Sequence, residues 1–194
     1  MKKAKVIALT GGIGSGKSTA LKIIQDAGFA TVSSDETVTS LYQKNCVLRK
    51  LKKLFPDAIK GFFSLSIDRK KVAEKVFFDK ALHKKLTDLI TPLVFKEIFK
   101  TAKKVKGVLF AEVPLLFECN YQDAFDNVLV IMRDKTARVD AVKTRSNLTE
   151  QEVLARMNNQ IDYEKTDFSK YVVIENNGDV VALKNELENF LKTI

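Results

Sequence analysis

The sequence predicts an α/β fold with a mainly parallel five-stranded sheet covered by helices on both faces. Two observations carry that expectation. Short apolar runs alternate along the chain with helical patterns, which is the signature of strand–helix–strand crossover units. Most of those runs lack polar alternation, as strands buried on both faces require. The candidate strands are Lys5–Thr10, Ala30–Ser33, Gly107–Val113, Asn127–Met132 and Tyr171–Glu175. The helical segment Ser18–Ala27 ends at Gly28, a C-terminal cap residue. Thr149–Tyr163 opens with a capping box, Thr149 and Glu152, and its Val153, Met157 and Ile161 recur every four residues as an apolar stripe. Asp179 caps a final helix whose stripe is Val180, Leu183, Leu187 and Leu191. Residues 36–106 are too long for one crossover helix and carry no central strand. Their apolar positions suggest several helices, broken near Pro56, Gly61 and Pro92, forming a helical insertion that would hold an acceptor.

Between the first strand and the first helix lies Gly11-Gly12-Ile13-Gly14-Ser15-Gly16-Lys17-Ser18-Thr19, which fits G-x-x-x-x-G-K-[ST]. A strand, a glycine-rich turn and a helix N-terminus aim backbone N–H groups and a positive helix dipole at one point. Glycines permit the close approach of phosphate and the left-handed turn. Four fixed positions match by accident in roughly one chain of this length in a hundred, and the flanking strand and helix lower that further. Gly12 to Thr19 are therefore assigned to ATP binding. Lys17 reaches the β- and γ-phosphates, and the Ser18 hydroxyl is the candidate ligand for Mg²⁺.

Ligands of open α/β sheets bind beyond the carboxyl ends of the strands, which draws attention to strand-end carboxylates. Asp35 follows the second strand and suits a proton acceptor for an attacking hydroxyl; capping of a helix that begins at Glu36 is an equal reading. Glu112 ends the third strand and suits either a water on Mg²⁺ or the acceptor. Arg138, Arg145 and Arg156 fall in a late segment, 138–165, that reads as a lid. Phosphoryl transfer needs water excluded and charge neutralised, and Arg145, at a helix end before a loop, is placed to swing over the phosphates. A solvated surface arginine is the competing reading for each. His83 reads as a surface residue with no role.

The 194 residues suit a single domain, 45% hydrophobic and 29% charged, with a net charge of +9. That charge favours anionic ligands. The lysines are dispersed and arginine is scarce, which argues against nucleic acid as partner. No apolar stretch approaches membrane-spanning length, and no signal peptide fits before the phosphate loop, so a cytoplasmic protein is expected. Cys46 and Cys119 have no metal-ligand spacing and read as buried reduced thiols. A monomer is expected, with an oligomer left open.

These residues, taken together, resemble the dephospho-CoA kinase family almost end to end. The likeness rests on Leu9-Thr10 with the glycine loop, Asp35, Asp68-Arg69 followed by Val76-Phe77, Glu112-Val113-Pro114-Leu115-Leu116-Phe117-Glu118, Gln160, and Glu175-Asn176-Asn177-Gly178. The resemblance implies a P-loop core with a helical CoA-binding region and a lid, and MgATP with dephospho-CoA as substrates. It further implies that Asp35 is the base for the ribose 3′-hydroxyl, that Arg145 is the lid arginine, and that Asp35, Arg69, Glu112 and Leu115 meet the acceptor. The chain departs from the family pattern at Ser33, Thr91, Ala141 and Lys170-Tyr171. Shikimate-like and nucleoside monophosphate kinases share a P-loop and a lid, but the Pro114–Glu118 segment argues against them. A GTPase would need Asp-x-x-Gly and Asn-Lys-x-Asp, and neither occurs. A nucleic-acid-associated ATPase is left standing by charge alone.

Overall fold

A computed structural model describes residues 4–146 and 148–194. The chain divides into two compact units, one made of Met1–Ser33 with Ala102–Ile194 and the other of Ser34–Thr101.

In the first unit, β1 (Lys5–Thr10) leads into α1 (Lys17–Asp26) and then β2 (Ala30–Ser33). Gly28 stands just past α1 with φ 91° and donates to the Gln25 carbonyl at 2.9 Å, so it ends the helix as its glycine predicts. The second unit carries α2 (Ser34–Leu41), α3 (Asn45–Lys52), a two-stranded hairpin of β3 (Ile59–Lys60) and β4 (Ser66–Ile67), α4 (Arg69–Phe78) and α5 (Lys80–Ala102). The first unit resumes with β5 (Val108–Glu112), β6 (Asn127–Met132), α6 (Lys135–Ser146), α7 (Glu150–Met157), β7 (Val172–Glu175) and α8 (Val180–Leu191).

Five strands form one sheet in the order β2-β5-β1-β6-β7, and every pairing is parallel. β1 is central, so the loop after it emerges between the ends of β5 and β6, at the crevice where such sheets hold ligands. Ile7, Leu9, Phe110, Leu129, Ile131 and Ile174 from the strands pack with Ala20 and Ile24 of α1 and Leu183, Leu187 and Leu191 of α8. A smaller core joins Val139 and Val142 of α6 to Val153 of α7, with Ile13 of the glycine loop packed against it. The loop is thus gripped by apolar contact on one side as well as by its flanking strand and helix.

Several expectations need correction. α7 stops at Met157 rather than Tyr163, so Ile161 is not on its stripe; tandem Asn158-Asn159 turns the chain out, since asparagine competes poorly for helix interiors. Val180 is exposed, leaving Leu183, Leu187 and Leu191 as the buried face of α8. Pro92 lies inside α5 without breaking it; Ile90, Val94 and Ile98 are buried on either side of it, and packing along that face outweighs one missing N–H. The insertion is not purely helical, because Gly61, at φ 95°, turns the β3–β4 hairpin. Cys46 is exposed, not buried, and Cys119 is half-buried. α2 begins at Ser34, so Asp35 stands inside its first turn and does not cap a helix starting at Glu36.

Candidate active site

The glycine loop is built to receive phosphate. Gly16, at φ 98°, takes the cap position of α1, and no acidic residue occupies that helix's first turn. The helix itself therefore supplies no negative charge to offset its N-terminal N–H groups and dipole. Gly14 has φ 78°, and a Cβ there would stand 2.5 Å from the Arg138 carbonyl oxygen. A side chain is excluded both by the backbone angle and by the neighbouring helix. Lys17 folds over the loop, its Nζ donating to the carbonyls of Gly11 at 2.8 Å and Gly12 at 2.9 Å. The Ser18 hydroxyl donates to Glu112 Oε1 at 3.3 Å. Glu112 is buried at the end of β5, and Leu9 of β1 is its register partner.

Around the loop lies a ring of contacts that, Arg138 apart, composition and spacing did not single out. The Ile13 N–H donates to Gln160 Oε1 at 2.6 Å. Asn176 Nδ2 donates to the Ser15 carbonyl at 2.7 Å, buried at the end of β7. Tyr163 packs against Gly12. Its phenol lies beside the Thr10 hydroxyl, and burial above all pushes its pKa up. Arg138 is 4% exposed and pairs with Glu164. Glu118 accepts from the Ile161 N–H at 2.9 Å. Gln160, Asn176 and Glu118 lie in segments that carry the family resemblance. Tyr163 and Glu164 were hidden by extending α7 to Tyr163; the Asn158-Asn159 pair was the available signal that the helix ends earlier.

The structure thus brings Gly12–Thr19, Lys17, Ser18 and Glu112 together in the first unit. Leu115 follows β5 and is 39% exposed. Arg145 is exposed in the last turn of α6. Asp35 and Arg69 belong to the second unit. Asp35 is exposed in the first turn of α2, two residues beyond Ser33, whose register partner is Glu112. Arg69 opens α4, capped by Asp68, with its guanidinium 5.2 Å from the centre of the Tyr42 ring.

The donor set suits Mg²⁺. A hydroxyl and one carboxylate side by side are hard oxygen ligands, and Mg²⁺ is commonly held by one or two such groups together with substrate phosphates. No group of three or more His, Cys, Asp or Glu forms a dedicated metal cage among the described residues.

A dephospho-CoA kinase family profile matches residues 5–182. The chain belongs to the dephospho-CoA kinase family. Curated dephospho-CoA kinases include one from Fusobacterium nucleatum, 33% identical over 97% of this chain and 98% of its own length. Another, from Streptococcus agalactiae, is 30% identical over 98% and 99% respectively. Among solved structures, a Thermus thermophilus protein superposes with TM-score 0.83 at 30% identity, covering 100% of this chain and 99% of its own. Dephospho-CoA kinase from Campylobacter jejuni gives TM-score 0.71 at 26% identity, with 96% and 95% covered. A shikimate kinase from Acinetobacter baumannii, at TM-score 0.57 and 14% identity, shares the fold. The dephospho-CoA kinase family is therefore matched in sequence and in architecture, and the fold is that of the P-loop kinases.

Proposed function

We propose that this member of the family transfers the γ-phosphoryl group of ATP to the ribose 3′-hydroxyl of dephospho-CoA, giving coenzyme A and ADP. The observation that carries the reading is the family match over residues 5–182 joined to the phosphate cradle of Gly12–Thr19. In this reading the loop N–H groups and Lys17 bind the β- and γ-phosphates and neutralise the charge that builds on the migrating group. Ser18, with Glu112 beside it, would hold Mg²⁺, whose charge would offset that of the phosphates.

Asp35 acts as the base, accepting the 3′-hydroxyl proton as that oxygen attacks phosphorus. Its place just past the end of a sheet strand supports this role, as does its exposure, which leaves the carboxylate reachable. Residues 36–106 form the acceptor region, where Arg69, a permanent cation, suits a phosphate of dephospho-CoA. Leu115 offers exposed apolar surface to the acceptor, and Glu112 would serve the metal or the acceptor. Residues 138–165 form the lid, with Arg145 supplying charge over the phosphates. In this reading the protein works in the cytoplasm. No helix among the described residues is long and apolar enough to cross a membrane.

The test is product identity. After incubation with MgATP and dephospho-CoA, phosphorus NMR and mass spectrometry should find one new phosphomonoester on the ribose 3′ oxygen. A phosphate on any other oxygen, or unmodified acceptor beside consumed ATP, would overturn the assignment.

A further inference from the structure

Arg138 differs from the other arginines of the late segment in being enclosed. Its side chain is 5% exposed, whereas Arg145 is exposed. Glu164 and two positions of the glycine loop hold it in place. One end of the guanidinium donates to Glu164. The Nη1 nitrogen sits so close over Gly12 that a Cβ there would collide with it, and the Arg138 carbonyl and Cα back onto Gly14. The Nε nitrogen is buried without a hydrogen-bond partner. A cavity of about 200 Å³, lined by Lys135, Arg138, Asn158, Gln160, Asp162 and Glu164, opens beside it.

A buried guanidinium with a single carboxylate partner is a demanding arrangement, because an unmet buried donor destabilises by about 1–3 kcal/mol. Hydrophobic residues of similar volume would pack α6 against the loop at least as well. What they would lack is a planar, permanently charged plate, anchored at its edge, against Gly12. Gln160 adds the second anchor by holding the Ile13 N–H.

We propose that Arg138, held by Glu164, is a positioning residue for the nucleotide: its guanidinium backs Gly12 and, with its own backbone against Gly14, holds the glycine loop in its phosphate-receiving arrangement. The arginine that works on the transferring group is a different one. This inference rests on the phosphoryl-transfer reading above for its kinetics, and on nucleotide binding alone for its thermodynamics.

The test therefore measures MgADP binding by calorimetry without acceptor, together with kcat and KM for MgATP, in Arg138→Lys and Glu164→Gln. Both variants should weaken MgADP and raise KM for MgATP by about tenfold, with kcat at saturation within about twofold and KM for dephospho-CoA unchanged. Lysine should fail to substitute, because it keeps the charge but not the fork. Unchanged MgADP affinity in both variants would reduce Arg138 to a packing residue. A fall in kcat with MgADP affinity intact would make it a transition-state arginine. Either result overturns the proposal. If Arg138→Lys does not fold, Glu164→Gln decides the matter, since it leaves the buried guanidinium in place and alters a half-exposed partner. Binding of MgADP by a protein that does not phosphorylate dephospho-CoA would count against the proposed function and leave this inference standing.

Discussion

Lys17 and Asp35 should fail in different ways when altered, because the proposed function gives them different parts of the reaction. The Lys17 ammonium touches the loop carbonyls at 2.8 and 2.9 Å, at the rim where the migrating group gains charge. Lys17→Ala should lower kcat/KM by about 10²–10³, in line with removal of one preorganised charge stabiliser, as steady-state kinetics will report. Asp35→Asn removes a proton acceptor and leaves the phosphate cradle untouched. Its kcat should fall about 10²–10⁴-fold while MgADP affinity, read by calorimetry, stays within about twofold. Near-normal turnover would show that Asp35 is not the base. The loop was legible residue by residue, since its glycines and lysine occupy fixed spacings. The ring around it was less so: Gln160 and Asn176 reach the loop across 147 and 161 positions of sequence, a separation no local pattern encodes.

At the scale of elements, α7 illustrates what sequence determines and what it leaves out. Its start was readable because the capping box is a local device. Thr149 accepts from the Glu152 N–H at 3.3 Å, and Glu152 accepts in turn from the Thr149 N–H at 2.8 Å. Its end was not, because Ile161 continues an apolar period that packing elsewhere overrides. The Thr149 hydroxyl, and then its N–H, hold the Glu152 carboxyl below the usual carboxylate range. A folded-state pKa below the unfolded one stabilises at pH above the ordinary glutamate value, and that contribution fades as pH falls through the depressed one. Thr149→Ala should therefore destabilise α7 most at neutral pH and least in acid, as denaturation followed across that pH range will show. Strand positions were likewise readable to within a residue, since buried parallel strands appear as bare apolar runs bounded by turns. Pro92 misled because its effect depends on the burial of α5 around it, not on proline alone.

The whole molecule joins a sheet unit that holds the nucleotide loop to a unit of helices and a hairpin that the chain enters after β2. The fold class followed from strand–helix alternation, but the hairpin at Ile59–Lys60 and Ser66–Ile67 is too short to show as a period. Leu9 is fully buried in the central strand one residue before Thr10 and the loop. Leu9→Ala should destabilise the protein by about 3–4 kcal/mol, read by chemical denaturation, and loosen the loop it precedes. Stripping divalent cations with a chelator should abolish turnover, with restoration by added Mg²⁺.

The central claim concerns the acceptor, since the fold is shared with kinases of other substrates. A coupled ADP-release assay with MgATP, comparing dephospho-CoA with shikimate, AMP, CMP and no acceptor, tests it most directly. Turnover is expected with dephospho-CoA and only background release with the others. Background release with dephospho-CoA beside turnover of another acceptor would contradict it.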